Sequence, residues 1–117
     1  MAEHIDTGKL GEDKAAAFLE EKGYEILTRN YRFRHSEIDI IAKKNKILIF
    51  VEVKTRTNVS FGMPEEFVDA TKRRLIMKAA EQYIFDQDWQ GDIRFDVVSV
   101  VITPHQTRLH HIEDAFY

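Results

Sequence analysis

The sequence predicts an α/β domain whose elements run helix, three strands, helix, strand. Three observations carry that expectation. Ser36 to Arg56 reads as two strands rich in Ile, Val and Phe, joined by the short polar turn Lys43-Lys44-Asn45-Lys46. Gly8 to Lys22 and Pro64 to Gln87 each carry an apolar stripe at helical spacing. Arg94 to Ile102 is a nearly continuous apolar run, the pattern of a strand covered on both faces. A chain of 117 residues with 44% hydrophobic content is expected to form one domain over residues 1–117. It can bury about two-thirds of its unfolded surface.

The elements follow in order. Thr7 is expected to cap the first helix and Gly23 to end it in a left-handed conformation. Its stripe is Gly8, Gly11, Ala15, Ala16, Phe18 and Leu19, and Glu12 falls within that stripe. A carboxylate there faces inward, either towards something that compensates it or as a rim acid favoured by the helix dipole. Tyr24 to Phe33 reads as the first strand, with Ile26 and Leu27 at its centre. Arg29, Arg32 and Arg34 interleave with Tyr31 and Phe33 at its later end. That alternation suits a nucleic-acid backbone with stacked bases, or simply a half-buried strand.

Beyond the hairpin, Thr55 to Met63 lacks periodicity and reads as a loop, with Arg56 near enough to the charged strand end to meet a phosphate. Pro64, Glu65 and Glu66 suit the first turn of the second helix. Its stripe is Val68, Leu75, Ile76, Ala79, Ala80 and Tyr83, and Lys72 interrupts it. A long lysine can snorkel from such a position, or it can reach a site and contact phosphate or a carboxylate. Arg73, Arg74 and Lys78 point more outward, as a backbone-binding face requires. Residues 86–92 form a turn, with Trp89 packing on the body. Arg108 to Ile112 is expected as a short edge strand, and Ala115-Phe116-Tyr117 tucks against the body. His110 and His111 are adjacent on that strand and point to opposite faces, which argues against their chelating one ion together.

The central hairpin holds charge where a core strand should have none: Glu37 and Asp39 on its first strand, Glu52 and Lys54 on its second. Alternation puts each pair on one face of its own strand. A turn on Lys44-Asn45 sets Asp39 diagonal to Glu52, and a turn on Asn45-Lys46 sets the two directly opposite. Either register brings the carboxylates close. Adjacent acids repel unless a cation lies between them or one is protonated. Oxygen ligation by two carboxylates suits Mg²⁺ or a similar hard ion, and Lys54 on the same face could touch a bound water or a developing negative charge. The same four charges also fit a structural salt-bridge cluster.

Composition narrows the setting. With no cysteine, disulfides, thiol catalysis and thiolate metal sites are excluded. The N-terminus MAEHIDTGK lacks the apolar core of a signal peptide, and no apolar run approaches membrane-spanning length, so a cytoplasmic protein without membrane association is expected. A net charge of −3 argues mildly against nucleic-acid binding. The basic residues nevertheless cluster at Arg29 to Arg34, Lys43 to Lys46 and Lys72 to Lys78, so an acidic chain can still present one basic face.

Glu52-x-Lys54 after a hydrophobic strand, with Asp39 on the neighbouring strand, resembles the PD-(D/E)xK nuclease superfamily. The closer resemblance is to the YraN family, which is similar to archaeal Holliday-junction resolvases. It runs through most of the chain: Gly8-x-x-Gly11-Glu12, Asn30-Tyr31, Glu37-Ile38-Asp39, Phe50-Val51-Glu52-Val53-Lys54, Phe61-Gly62, Lys72 with its basic neighbours, and Arg94-Phe95-Asp96-Val97. Ser36 departs from the glycine usual before Glu-Ile-Asp. Ile38 replaces the superfamily's proline, as in many resolvase-like members.

The resemblance implies a restriction-endonuclease-like αβββαβ core, a mixed central sheet flanked by helices. It implies Asp39 and Glu52 as ligands of Mg²⁺ or Mn²⁺ together with the Val53 carbonyl. Lys54 would orient water or stabilise the phosphorane-like charge, and Glu12 would complete the site, with Glu37 a weaker candidate. Arg32, Arg34, Arg56, Lys72, Arg73 and Arg74 would contact nucleic acid. The expected function is metal-dependent hydrolysis of phosphodiester bonds in DNA, with branched junctions addressed by a homodimer as one candidate substrate. The rival is a non-catalytic binding or scaffolding module on the same fold.

Overall fold

A computed structural model describes residues 6–57 and 69–115. In chain order the elements are α1 (Thr7–Glu21), β1 (Glu25–Phe33), β2 (Ser36–Lys44), β3 (Ile47–Arg56), α2 (Ala70–Gln87), β4 (Asp92–Ile102) and β5 (Thr107–Ile112). The strands form one sheet in the order β1-β2-β3-β4-β5. Neighbours are antiparallel except β3 and β4, which are parallel. Parallel neighbours need a crossover, and α2 lies between these two in the chain. The mixed sheet with flanking helices is the expected α/β core, with β5 added at its edge.

The two helices cover opposite faces. Ala15, Ala16 and Leu19 of α1 pack with Ile40, Ala42, Ile49, Val51, Val98 and Val100. Ile76, Ala79, Ala80 and Tyr83 of α2 pack with Ile41, Leu48, Phe50, Phe95 and Val97. Consecutive residues of β3 and β4 therefore enter different layers, and both strands are buried on both sides, as the unbroken apolar run of β4 predicts. On β3, Glu52 and Lys54 continue the α2 side of Leu48 and Phe50, whereas Val53 and Thr55 continue the α1 side.

Several boundaries differ from expectation. Asp6 rather than Thr7 caps α1, its carboxylate accepting the Lys9 N–H at 3.1 Å. An aspartate one residue upstream reaches the same donors, so the sequence offers two adjacent caps. Gly23, at φ +91°, ends the helix as expected. Helix α2 begins at Ala70, where Asp69 accepts the Lys72 N–H at 2.8 Å. Phe61-Gly62, Pro64, Glu65, Glu66 and Val68 lie outside the described residues, as do Phe116 and Tyr117. Leu75, expected in the core stripe of α2, is 41% exposed.

Turn chemistry chooses between the two hairpin registers. Asn45 and Lys46 both adopt positive φ (+51° and +66°), the paired left-handed conformation of a two-residue turn. Lys44 then pairs with Ile47 and Ile40 with Val51. At the β1–β2 turn the left-handed residue is Arg34 (φ +57°), so Ser36 needs no glycine freedom and pairs with Phe33.

A close approach holds α1 to the sheet. A Cβ built on Gly11 would lie 2.0 Å from Thr55 Oγ1 and 2.8 Å from Thr55 Cβ. Only a residue without a side chain lets the helix sit this near to the end of β3. Gly11→Ala is expected to destabilise the fold by about 1–3 kcal/mol through overpacking. Urea unfolding checks it, and a variant as stable as wild type would contradict the close contact.

Candidate active site

The candidate site forms where β2 and β3 part. Their ladder ends at Ile40↔Val51, although β3 continues to Arg56. Ile38 and Ile40 pack in different layers, so strict alternation is lost at Asp39 between them. In the β1–β2 register Asn30 falls opposite Asp39, and Asn30 sits at φ +55°. These irregularities open a seam in the sheet. Asp39 fills it with its side chain, accepting the Val53 N–H at 2.7 Å through Oδ2. A carboxylate thus takes the donor that a strand carbonyl would otherwise have satisfied.

On the α2 side of the seam Asp39 meets Glu52, the residue next in line across the pair. Burial pushes the Asp39 carboxyl up to about 8, and the Glu52 carboxylate within hydrogen-bonding reach adds to the rise. The Val53 N–H and Lys72 pull the other way without cancelling it. Asp39 therefore holds a proton at neutral pH, as one member of a crowded acid pair should. Glu52 is only 6% exposed. Lys72 Nζ stands 3.2 Å from Glu52 Oε2 but misses hydrogen-bond geometry, so that buried oxygen has an ionic neighbour and no hydrogen bond. Lys54 lies against Lys72. Burial, followed by the neighbouring ammonium, lowers the Lys54 pKa. For Lys72, burial is outweighed by the adjoining Lys54 amino group, which yields its proton more readily, and by the Glu52 carboxylate, and its pKa rises.

Asp39 also lines a cleft of about 500 Å³ on the α1 side, with Gly8, Glu12, Arg29, Asn30, Val53 and Thr55. Glu12 faces this cleft because Gly11 docks its helix turn on Thr55. Its Oε1 accepts from Arg29 Nε at 2.9 Å and from Asn30 Nδ2 at 3.0 Å. Arg29 also reaches Asp13 at 2.6 Å, and the Asp13 partnership leads the rise in the guanidinium's pKa. An inward glutamate in the α1 stripe is thus explained by a specific cation opposite it.

The donor set fits a hard divalent cation in chemistry though not as a closed cage. Asp39 and Glu52 offer carboxylate oxygens side by side, and one Glu52 oxygen is buried without a hydrogen bond. Among the described residues, no group of three or more His, Cys, Asp or Glu side chains converges. Further ligands would have to be water or main-chain oxygen such as that of Val53, which is the habit of Mg²⁺.

The remaining expected site residues are dispersed. Glu37 pairs with Arg32 at 3.1 Å on the exposed side of the β1–β2 pair. Arg34 lies over the Phe33 ring, 5.3 Å from its centroid. Arg56 ends β3 and is half-buried, Arg73 is half-buried in the first turn of α2, and Arg74 is exposed beside it. Lys72 takes the carboxylate contact that its place in the stripe allows. Sequence reasoning missed Asn30 and Thr55 as cleft residues. Asn30 carries a left-handed backbone, which an Asn in a strand weakly signals.

It also missed a second polar cluster. Asp96, 0% exposed, accepts both Arg94 Nε and Nη2 at 2.8 Å and lies 2.7 Å from His111 Nε2. The Asp114 N–H donates to it at 3.0 Å, and these partners hold its carboxyl below the usual range despite burial. The spacing of Arg94 and Asp96 on one face of an apolar strand was the available signal. His111 packs edge-on to Phe18 and Tyr24, a buried structural histidine.

The raised Asp39 pKa has a sign that can be tested. The folded chain keeps this proton to about 8, whereas a free carboxyl releases it near 3.8. Between those values the folded state binds more protons than the unfolded one, so this group lowers stability as pH rises, and its effect levels off above the interval. In metal-free buffer Asp39→Asn is expected to gain stability relative to wild type between about pH 5 and about pH 8. Urea unfolding at both ends measures it, and parallel pH profiles would refute the buried acid pair.

The described residues contain no helix long and apolar enough to cross a membrane. The profile of the uncharacterised protein family UPF0102 matches residues 11–100. The UPF0102 protein FP2501 of Flavobacterium psychrophilum is 48% identical over 117 residues, covering 100% of this chain and 98% of the relative. The UPF0102 protein of Flavobacterium johnsoniae is 46% identical over 121 residues with the same coverage. That of Bacteroides thetaiotaomicron is 45% identical over 117 residues, covering 100% and 97%. With a match across most of its length and relatives of nearly equal extent, the chain belongs to UPF0102, the YraN family.

Proposed function

We propose that this chain is a metal-dependent phosphodiesterase acting on nucleic acid. The observation that supports it most is the pairing of Asp39 with Glu52 at the parted end of β2 and β3, with Lys54 beside them. Asp39, Glu52 and the Val53 carbonyl would hold Mg²⁺ or Mn²⁺. When bound, such an ion lowers the pKa of water and neutralises charge developing on phosphate oxygens. Asp39 would give up its proton to become a ligand. Lys54, held near the pair by the strand, would stabilise negative charge on the phosphate or orient water. Arg73, Arg74 and Lys78 on α2 would meet the backbone of the substrate. Glu12, tied to Arg29 and Asn30, would act from the α1 wall of the cleft. DNA is the proposed substrate, and the likeness to junction resolvases adds a branched form addressed by two copies.

A second reading rests on a specific observation. Glu52 has Lys72 and Glu12 has Arg29 as cationic neighbours, so the acids are partly neutralised within the chain. A non-catalytic nucleic-acid-binding module would keep them in that state. Purified protein incubated with branched, duplex and single-stranded DNA and with RNA, with and without Mn²⁺, separates the two. For the enzyme, cleavage requires Mn²⁺ and falls at least about 100-fold in Asp39→Asn, Glu52→Gln and Lys54→Met. Binding that ignores metal and all three substitutions, with no cleavage on any substrate, would favour the module.

A further inference from the structure

Glu52 has two lysines at hand, and they are held differently. Lys54 is fixed two residues along the same strand, on the same side of β3. Lys72 comes from the first turn of α2, where the Asp69 carboxylate pins its backbone N–H at 2.8 Å. Its side chain is 41% exposed, and its ammonium approaches Glu52 Oε2 at 3.2 Å without hydrogen-bond alignment. The contact is therefore a charge placed beside a charge, and the side chain can swing to solvent while its backbone stays capped.

A divalent cation on Asp39 and Glu52 would enter a space already bordered by two ammonium groups. Like charges at such distances oppose one another strongly where water is scarce. One ammonium must withdraw. Lys54 is half-buried on the strand itself, and Lys72, with its side chain 41% exposed, is the one set directly against Glu52 Oε2.

We infer that Lys72 is a displaceable counter-ion: its ammonium stands in for the metal at Glu52 and leaves that carboxylate when a divalent cation binds. The inference rests on the proposed metal site and adds a residue that sets its affinity. Lys72 is a positioning residue here, because it acts through Glu52. Released, it lies at the mouth of the site as a positive charge for an incoming phosphate.

Mn²⁺ alone, without nucleic acid, tests this by titration calorimetry on wild type, Lys72→Met, Lys72→Arg and the double variant Lys72→Met/Glu52→Gln. Removing the competing charge is expected to tighten Mn²⁺ binding by about tenfold or more. Lys72→Arg should bind no better than wild type, and the double variant should lose the gain. Binding by Lys72→Met equal to or weaker than wild type would overturn the inference, since a lysine that merely preorganises Glu52 predicts weakening. If neither wild type nor Lys72→Met binds Mn²⁺, the metal-site reading itself fails and the inference falls with it.

A wild-type measurement avoids any folding defect of the variants. Acylation of Lys72 by an amine-reactive reagent, followed by mass spectrometry, should accelerate when Mn²⁺ is added. An unchanged rate in protein that binds Mn²⁺ would show that Lys72 stays on Glu52.

Discussion

The hydrogen bond from the Val53 N–H to the Asp39 carboxylate organises this molecule. A β-sheet resists a gap, because each separated backbone donor must find another acceptor or be left without one. Here a side chain supplies the acceptor, so β2 and β3 can part after Ile40↔Val51 while β3 stays ordered and paired with β4 as far as Arg56. That one bond puts a carboxylate into the seam and sets it against Glu52. The same seam exposes Asp39 to the cleft lined by Glu12 and Arg29. The crowding of charge at the site follows from how the sheet is opened.

The surroundings answer that crowding in two ways. A proton stays on Asp39 because partial burial, and after it the neighbouring Glu52 carboxylate, disfavours the ionised form. Lys72 neutralises the other acid from across the α2 layer. On the α1 side, Arg29 and Asn30 hold Glu12, and the absence of a side chain at Gly11 brings that helix near enough for the contact. Helix docking and acid placement are therefore linked: the same glycine that permits tight packing aims the next residue at the cleft.

Much of this was readable from residue order. Period and composition identified the elements, and a hairpin turn of two residues left only two registers, both of which brought Asp39 near Glu52. Glu12 and Lys72 stood out because each interrupted an apolar helical stripe, and each is met by an opposite charge. What escaped was set by contacts between distant segments. The choice of cap between Asp6 and Thr7 depends on backbone geometry that adjacent acceptors do not decide. The exposure of Leu75 reflects where α2 lies on the sheet. Glu37 was counted with Asp39 on the strength of strict alternation, which the irregularity at Asp39 breaks. Asn30 and Thr55 became cleft residues only once three separate elements met.

Asp96 carries a separate consequence. Its donors come from β4 itself, from His111 on β5 and from the main chain of Asp114 beyond it. Strand β5 is the last in the sheet, and a terminal strand of this kind is ordinarily the first to fray and to offer its unpaired side to a foreign chain. Peeling it away would strip an ionised carboxylate of two of its donors and break up a buried ion-pair network, which is strongly disfavoured. The margin of the sheet is thus latched from within by electrostatics, and guarding against strand exchange needs no helix laid over it.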